Sequence, residues 1–148
     1  MITQTLIKLF NRDLNKLIEE IKAYKKEENL WLVSHHVSNS AGNLSLHIIG
    51  NLNHFIGSVL GNSGYIRQRD LEFSQKDVPV SEIIEQIEST MIIVENTLSK
   101  LTENDLQEEY RRNPFESYMN TEYFLTHLLT HLTYHLGQIN YHRRLLDI

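Results

Sequence analysis

Residues 121–148, TEYFLTHLLTHLTYHLGQINYHRRLLDI, hold four of the chain's eight histidines. An α-helix turns about 100° per residue, so positions four apart lie on one face, one turn above another. His127, His131 and His135 therefore form a stripe, and His142 rejoins it two turns on. Phe124, Leu128, Leu132, Leu136 and Ile139 fill the adjacent strip, so the histidines border a face turned toward a core. Histidines at i and i+4 can turn both imidazoles onto one metal ion. The glutamate of the H-E-x-x-H helix is missing, which excludes the protease reading at once. His127 and His135 stand about 12 Å apart along the axis, too far to share an ion at a bond length of about 2 Å. The pair is therefore His127 with His131 or His131 with His135, and spacing does not choose. A lone histidine on such a face more often packs and hydrogen-bonds than binds metal; three in register strengthen the metal reading.

A second histidine-bearing helix runs from Ser40 or Asn43, both possible N-caps, to about Leu60. Leu44, Ile48, Leu52, Phe55 and Val59 make its apolar stripe, with His47 and, seven residues on, His54 at the border. Gly50 and Gly57 lower helix propensity, and close packing is the expected reason. His47 can complete three protein ligands and leave a fourth position open, as catalytic zinc sites do. Two further helices carry no such signal. Residues 2 to about 26 present Leu6, Phe10, Leu14, Leu17 and Ile21 on one side and end in a solvated run, Lys25 to Glu28. Residues 81–101 present Ile84, Ile87, Met91, Val94 and Leu98, start near Ser81 and turn Glu82, Glu85, Glu88 and Glu95 to solvent. Four amphipathic helices, two long connections and no strand-like alternation predict an all-α four-helix bundle of one domain over residues 1–148.

The connections are less decided. Residues 29–41, with Trp31 and the His35–His36 doublet, read as polar loop, because adjacent side chains share no helix face. Residues 61–79 concentrate Tyr65, Arg67, Arg69, Asp70, Glu72 and Phe73. An ion-paired connector is the plainer reading; the sharper one covers the metal mouth and offers Tyr65, Arg67 and Arg69 as substrate contacts. A connector over 102–120 contains Pro114 and reaches the last helix through Asn120 or Thr121 as cap.

Composition bounds the function. A formal charge of −5 with no basic run argues against a nucleic-acid backbone as partner. The chain has no cysteine, which removes disulfides, thiolate zinc sites and a protein thiol nucleophile. No stretch reads as a signal peptide or a membrane span, so a cytoplasmic protein is expected. No Glu-x-x-His occurs, which excludes the carboxylate-rich di-iron pattern. Three neutral imidazoles suit zinc or nickel, with iron, manganese or cobalt behind them.

The helix-2 histidine in NLSLHIIGNLNHF and the run THLLTHLTYHLGQI, of the form H-x-x-x-H-x-x-Y-H-x-G-Q, resemble the DinB-like family over nearly the whole chain. These are helical-bundle metalloenzymes that include bacillithiol- and mycothiol-dependent transferases. The stretch GNLNHFIGSVLGNSGYIRQRDLEF is similar to an uncharacterised subgroup of that superfamily. Carried over by position, the resemblance implies His47, His131 and His135 as metal ligands, His127 in the outer shell or packed nearby, and Gly137–Gln138 as the tail of the motif. Leu136 departs from the arginine common before Gly-Gln. The resemblance also implies a homodimer, a divalent ion, and activation of a low-molecular-weight thiol or of water for transfer or hydrolysis. Against this enzyme stands a non-catalytic dimeric metal-binding or assembly module.

Overall fold

The computed structural model describes residues 1–148, and the chain is all-helical, with two isolated backbone bridges, Ser34–Val37 and Glu109–Asn120, and no strand. Six α-helices follow in order: α1 (Ile2–Lys22), α2 (Ala41–Leu52), α3 (Arg69–Ser74), α4 (Val80–Leu98), α5 (Glu103–Gln107) and α6 (Thr121–Leu146). No helix is long and apolar enough to cross a membrane.

α1 forms as its sequence period dictates. Leu6, Phe10, Leu14, Leu17 and Ile21 are all buried and face α4 and α6; fully burying each such side chain contributes about 1.5–3 kcal/mol. Asp13 is buried beside them, and its carboxylate accepts hydrogen bonds from Arg12 Nε and Thr133 Oγ1, which joins α1 to α6. Lys25 to Glu28 are exposed, and Glu27 opens a 3₁₀ turn (Glu27–Trp31). The Glu27 carboxylate accepts from Val80 N–H, so α4 is capped from across the fold. The boundary near Ser81 is corrected: Pro79 is the N-cap of α4, its own side chain bonding nothing, and Ser81 lies inside the helix. The seam of α4 also shifts by one residue at its start, because Ile83 is fully buried while Ile84 is only half-buried.

α2 departs most from expectation. It is not amphipathic in use: every residue from Ala41 to Leu52 is buried. α4 and α6 pack on it from two sides, α3 from a third, and the Trp31 turn covers its start. Its sequence permits this because none of its polar residues carries a fixed charge, and two of the four, Asn43 and Ser45, have local partners. Ser40 is the cap, accepting from Asn43 N–H, and Ser45 donates to Ala41 O. The helix then widens into a π-helical turn (Asn53–Ser58), where Asn53 Nδ2 donates to Ile49 O and to Thr90 Oγ1. Gly57 is closely packed as expected: a Cβ there would stand 3.0 Å from Ile93 Cγ2.

Two connectors contain helices that periodicity does not reveal. Residues 61–79 hold α3, docked by Asn43, whose Nδ2 donates to Glu72 O and Gln75 O at the helix end. Residues 102–120 hold α5, opened by a capping box in which Thr102 and Asp105 each accept from the other's backbone N–H. Tyr110, buried in the same connector, donates its hydroxyl to Phe55 O. Asn120 caps α6 by accepting from Tyr123 N–H.

Candidate metal centre

α2 and α6 bring three imidazoles together. His131 and His135, one turn apart on α6, have their Nε2 atoms 3.0 Å apart. His47 enters from α2 with Nε2 at 3.2 Å from that of His131. One ligand nitrogen from each of the three lies within 4.8 Å of the others. Around a tetrahedral ion with bonds of about 2.0–2.1 Å, neighbouring ligand atoms are about 3.3–3.4 Å apart, so the cluster could hold one ion with small adjustments.

The opposite ring nitrogens fix the tautomers. His47 Nδ1 lies 3.0 Å from Glu72 Oε1, and His135 Nδ1 lies 2.7 Å from Gln138 Oε1. A carboxylate or amide oxygen only accepts, so both Nδ1 atoms donate and both Nε2 lone pairs point inward. That is the arrangement in which a partner orients a metal-ligating histidine. Burial and the neighbouring His135, His47, His127 and Arg67 push His131 down to about 3. Burial also lowers His135; the Gln138 bond opposes this and His47 adds to it. These two rings are therefore neutral at neutral pH, the form that ligates.

Glu72 is the residue that sequence reasoning missed. It sits 25 positions from its partner His47 and reaches it only because α3 folds back over α2. Gly50 makes the room: a Cβ there would stand 1.9 Å from Glu72 Oε2. Arg67 closes the unit with a two-pronged grip, Nε to Oε2 and Nη2 to Oε1, both 2.9 Å. Burial pushes the Glu72 carboxyl up, but hydrogen bonds from His47 and Arg67, with the charge of Arg67, outweigh it and hold it below the usual range. Phe73 packs against the His47 ring at 4.9 Å. The glutamate was visible within the charged 65–73 stretch; its pairing with His47 was not.

The other singled-out residues fall elsewhere. His127 is wedged between Phe115 and Phe124, its ring 6.3 Å from that of His131. His142 leaves the stripe's chemistry altogether: Nε2 donates to Leu32 O and Nδ1 accepts from Tyr24 Oη. His54 lies against Phe55, and the His35–His36 doublet is exposed. Arg67 is engaged with Glu72 and lies 5.7 Å from the Phe55 ring centre, while Arg69 is exposed above Phe73. Tyr65 is partly exposed, its phenol raised by burial and by Glu72 and lowered by Arg67. Asn51, one turn beyond His47, has its Oδ1 buried with no partner.

No curated protein matches the chain. The family described as "Protein of unknown function (DUF1572)" matches residues 3–147, so the chain belongs to that family.

Proposed function

We propose that the protein is a DinB-like, four-helix-bundle metalloenzyme, a single cytoplasmic domain over residues 1–148. His47, His131 and His135 would hold one divalent ion, zinc or nickel before iron, manganese or cobalt. The single observation that carries this reading is the convergence of three Nε2 atoms, two of them with their opposite nitrogens engaged by Glu72 and Gln138. Bound there, a divalent ion supplies Lewis-acid activation of a low-molecular-weight thiol or of water for transfer or hydrolysis.

The chain's own residues prepare the site. Glu72 keeps the His47 proton on Nδ1, and Arg67 keeps Glu72 ionised and in place. Phe73 and the surrounding burial exclude water from one side of the cluster. Tyr65 and Arg69 keep the exposure that substrate contacts need, whereas Arg67 acts through Glu72. The homodimer belongs to the same proposal. It is supported by Tyr123, Tyr134 and Tyr141, exposed and within about 20° of one another on the outer side of α6.

The test is metal content. Protein loaded with zinc and dialysed should retain one ion per chain by mass spectrometry of the metal, and the His131→Ala variant should retain a small fraction of that. Wild type without stoichiometric metal, or a variant that keeps its full complement, removes the basis of the proposal.

A further inference from the structure

A cavity of about 300 Å³ opens beside His135, and Glu72 is not among the residues that line it. Residues 36–39 form one wall, Leu44 of α2 lies at its base, and α6 from His135 to Leu146 forms the other. Its lining contains no aspartate, glutamate, lysine or arginine. Four other clefts on the molecule each carry three or more charged side chains. The cavity's polar groups are also sorted by position. His142 lines it with both ring nitrogens already bonded, to Tyr24 and Leu32, so it offers only its ring. Gln138 uses Oε1 on His135, and its amide NH₂ has no partner within the chain. His36, Ser38 and Asn39 form a polar edge, and Leu44, Leu145 and Leu146 an apolar one.

We infer that this cavity binds the organic substrate, and that the substrate is an uncharged, amphipathic molecule of roughly ten non-hydrogen atoms, at the ~30 Å³ that a water occupies. The physical reason is desolvation. In the metal-free chain the cleft's side chains offer no counter-charge, so an entering ion loses hydration that nothing there restores, whereas a carbonyl or hydroxyl loses only what a hydrogen bond can replace. Gln138 is the link to the metal centre: one end of its amide holds His135, and the other can donate to a substrate carbonyl. The inference rests on the metalloenzyme reading for its catalytic meaning, but binding in the cavity does not require the ion. An anionic thiol, by the same argument, stays outside this cavity.

The experiment measures binding of benzamide, benzoate and benzylamine, which share one carbon skeleton, to the full chain by ligand-detected NMR at pH 8, with zinc and after chelation. Benzamide should bind in the millimolar range in both states and, in the chelated chain, about tenfold or more tighter than either charged analogue. Ser38→Trp, at an exposed position on the cavity wall, should weaken benzamide about tenfold. Ser38→Arg should move the preference to benzoate. Benzoate or benzylamine equalling benzamide on the chelated wild type, no binding by any of the three, or indifference to Ser38→Trp would each overturn the inference. Benzamide binding to a protein that never retains zinc would overturn the metal reading and leave the cavity standing; stoichiometric zinc with no benzamide bound would do the reverse.

Discussion

Replacing Gly50 by alanine sets two predictable effects against each other. In a helix interior, alanine is favoured over glycine by about 1 kcal/mol, so propensity alone raises stability. The notch opposes it. The new Cβ would stand 1.9 Å from Glu72 Oε2 and 2.5 Å from its Cδ, distances no packed structure tolerates. α2 is buried on every side and cannot retreat, so the Glu72 side chain has to move. It is itself buried, and leaving means releasing His47 and a gripped Arg67 whose side chain is only 12% exposed. Breaking a buried pair by displacing one partner costs about 3–5 kcal/mol; taking the low end, because Arg67 can turn toward solvent, leaves a net loss of about 2 kcal/mol. For a domain of this size that lowers Tm by about 4–8 °C. Circular-dichroism melts of chelated protein measure it. Glu72→Ala empties the space, so in that background the same Gly50→Ala change should stabilise by up to about 1 kcal/mol. A Gly50→Ala protein that melts above wild type, or equal effects in both backgrounds, would refute the notch.

Other consequences follow from the same contacts. Glu72→Gln keeps the shape but weakens the hold on His47, and zinc affinity by competition with a chromophoric chelator should fall about 10–100-fold. Asn43→Ala removes the two hydrogen bonds that dock the end of α3 and should cost about 1–3 kcal/mol in urea unfolding. The His131 pKa, about 3 in the folded chain, lies below the unfolded value of about 6.5. Between those values the unfolded chain binds a proton that the folded chain refuses, so stability of the chelated protein is full above about pH 6.5 and falls as pH drops toward 3. His131→Leu should flatten that dependence, and an unchanged slope in urea midpoints would count against it.

The four long helices were legible because each carries a 3.6-residue apolar stripe and, in two cases, a side-chain cap that is one of two expected residues: Ser40 and Asn120 each accept a backbone N–H. The histidine stripe was legible for the same reason, and helical spacing limited its choices to two pairs. What spacing cannot express is which face meets which neighbour. His47 was read at a border and lies buried, because α3 covers the side of α2 that the stripe left polar. α3 and α5 span 6 and 5 residues, too short for a period to show. His142 sits in perfect register with the other three, yet the turn around Leu32 and Tyr24 takes both of its nitrogens. The Glu72–His47 pair joins residues from separate segments, and only the folded chain brings them into contact.

Anomalous diffraction from crystals grown with zinc tests the central claim most directly. The account predicts one peak at about 2.0–2.1 Å from Nε2 of His47, His131 and His135 together. A peak held by other side chains, or three imidazoles with no common ion between them, would contradict it.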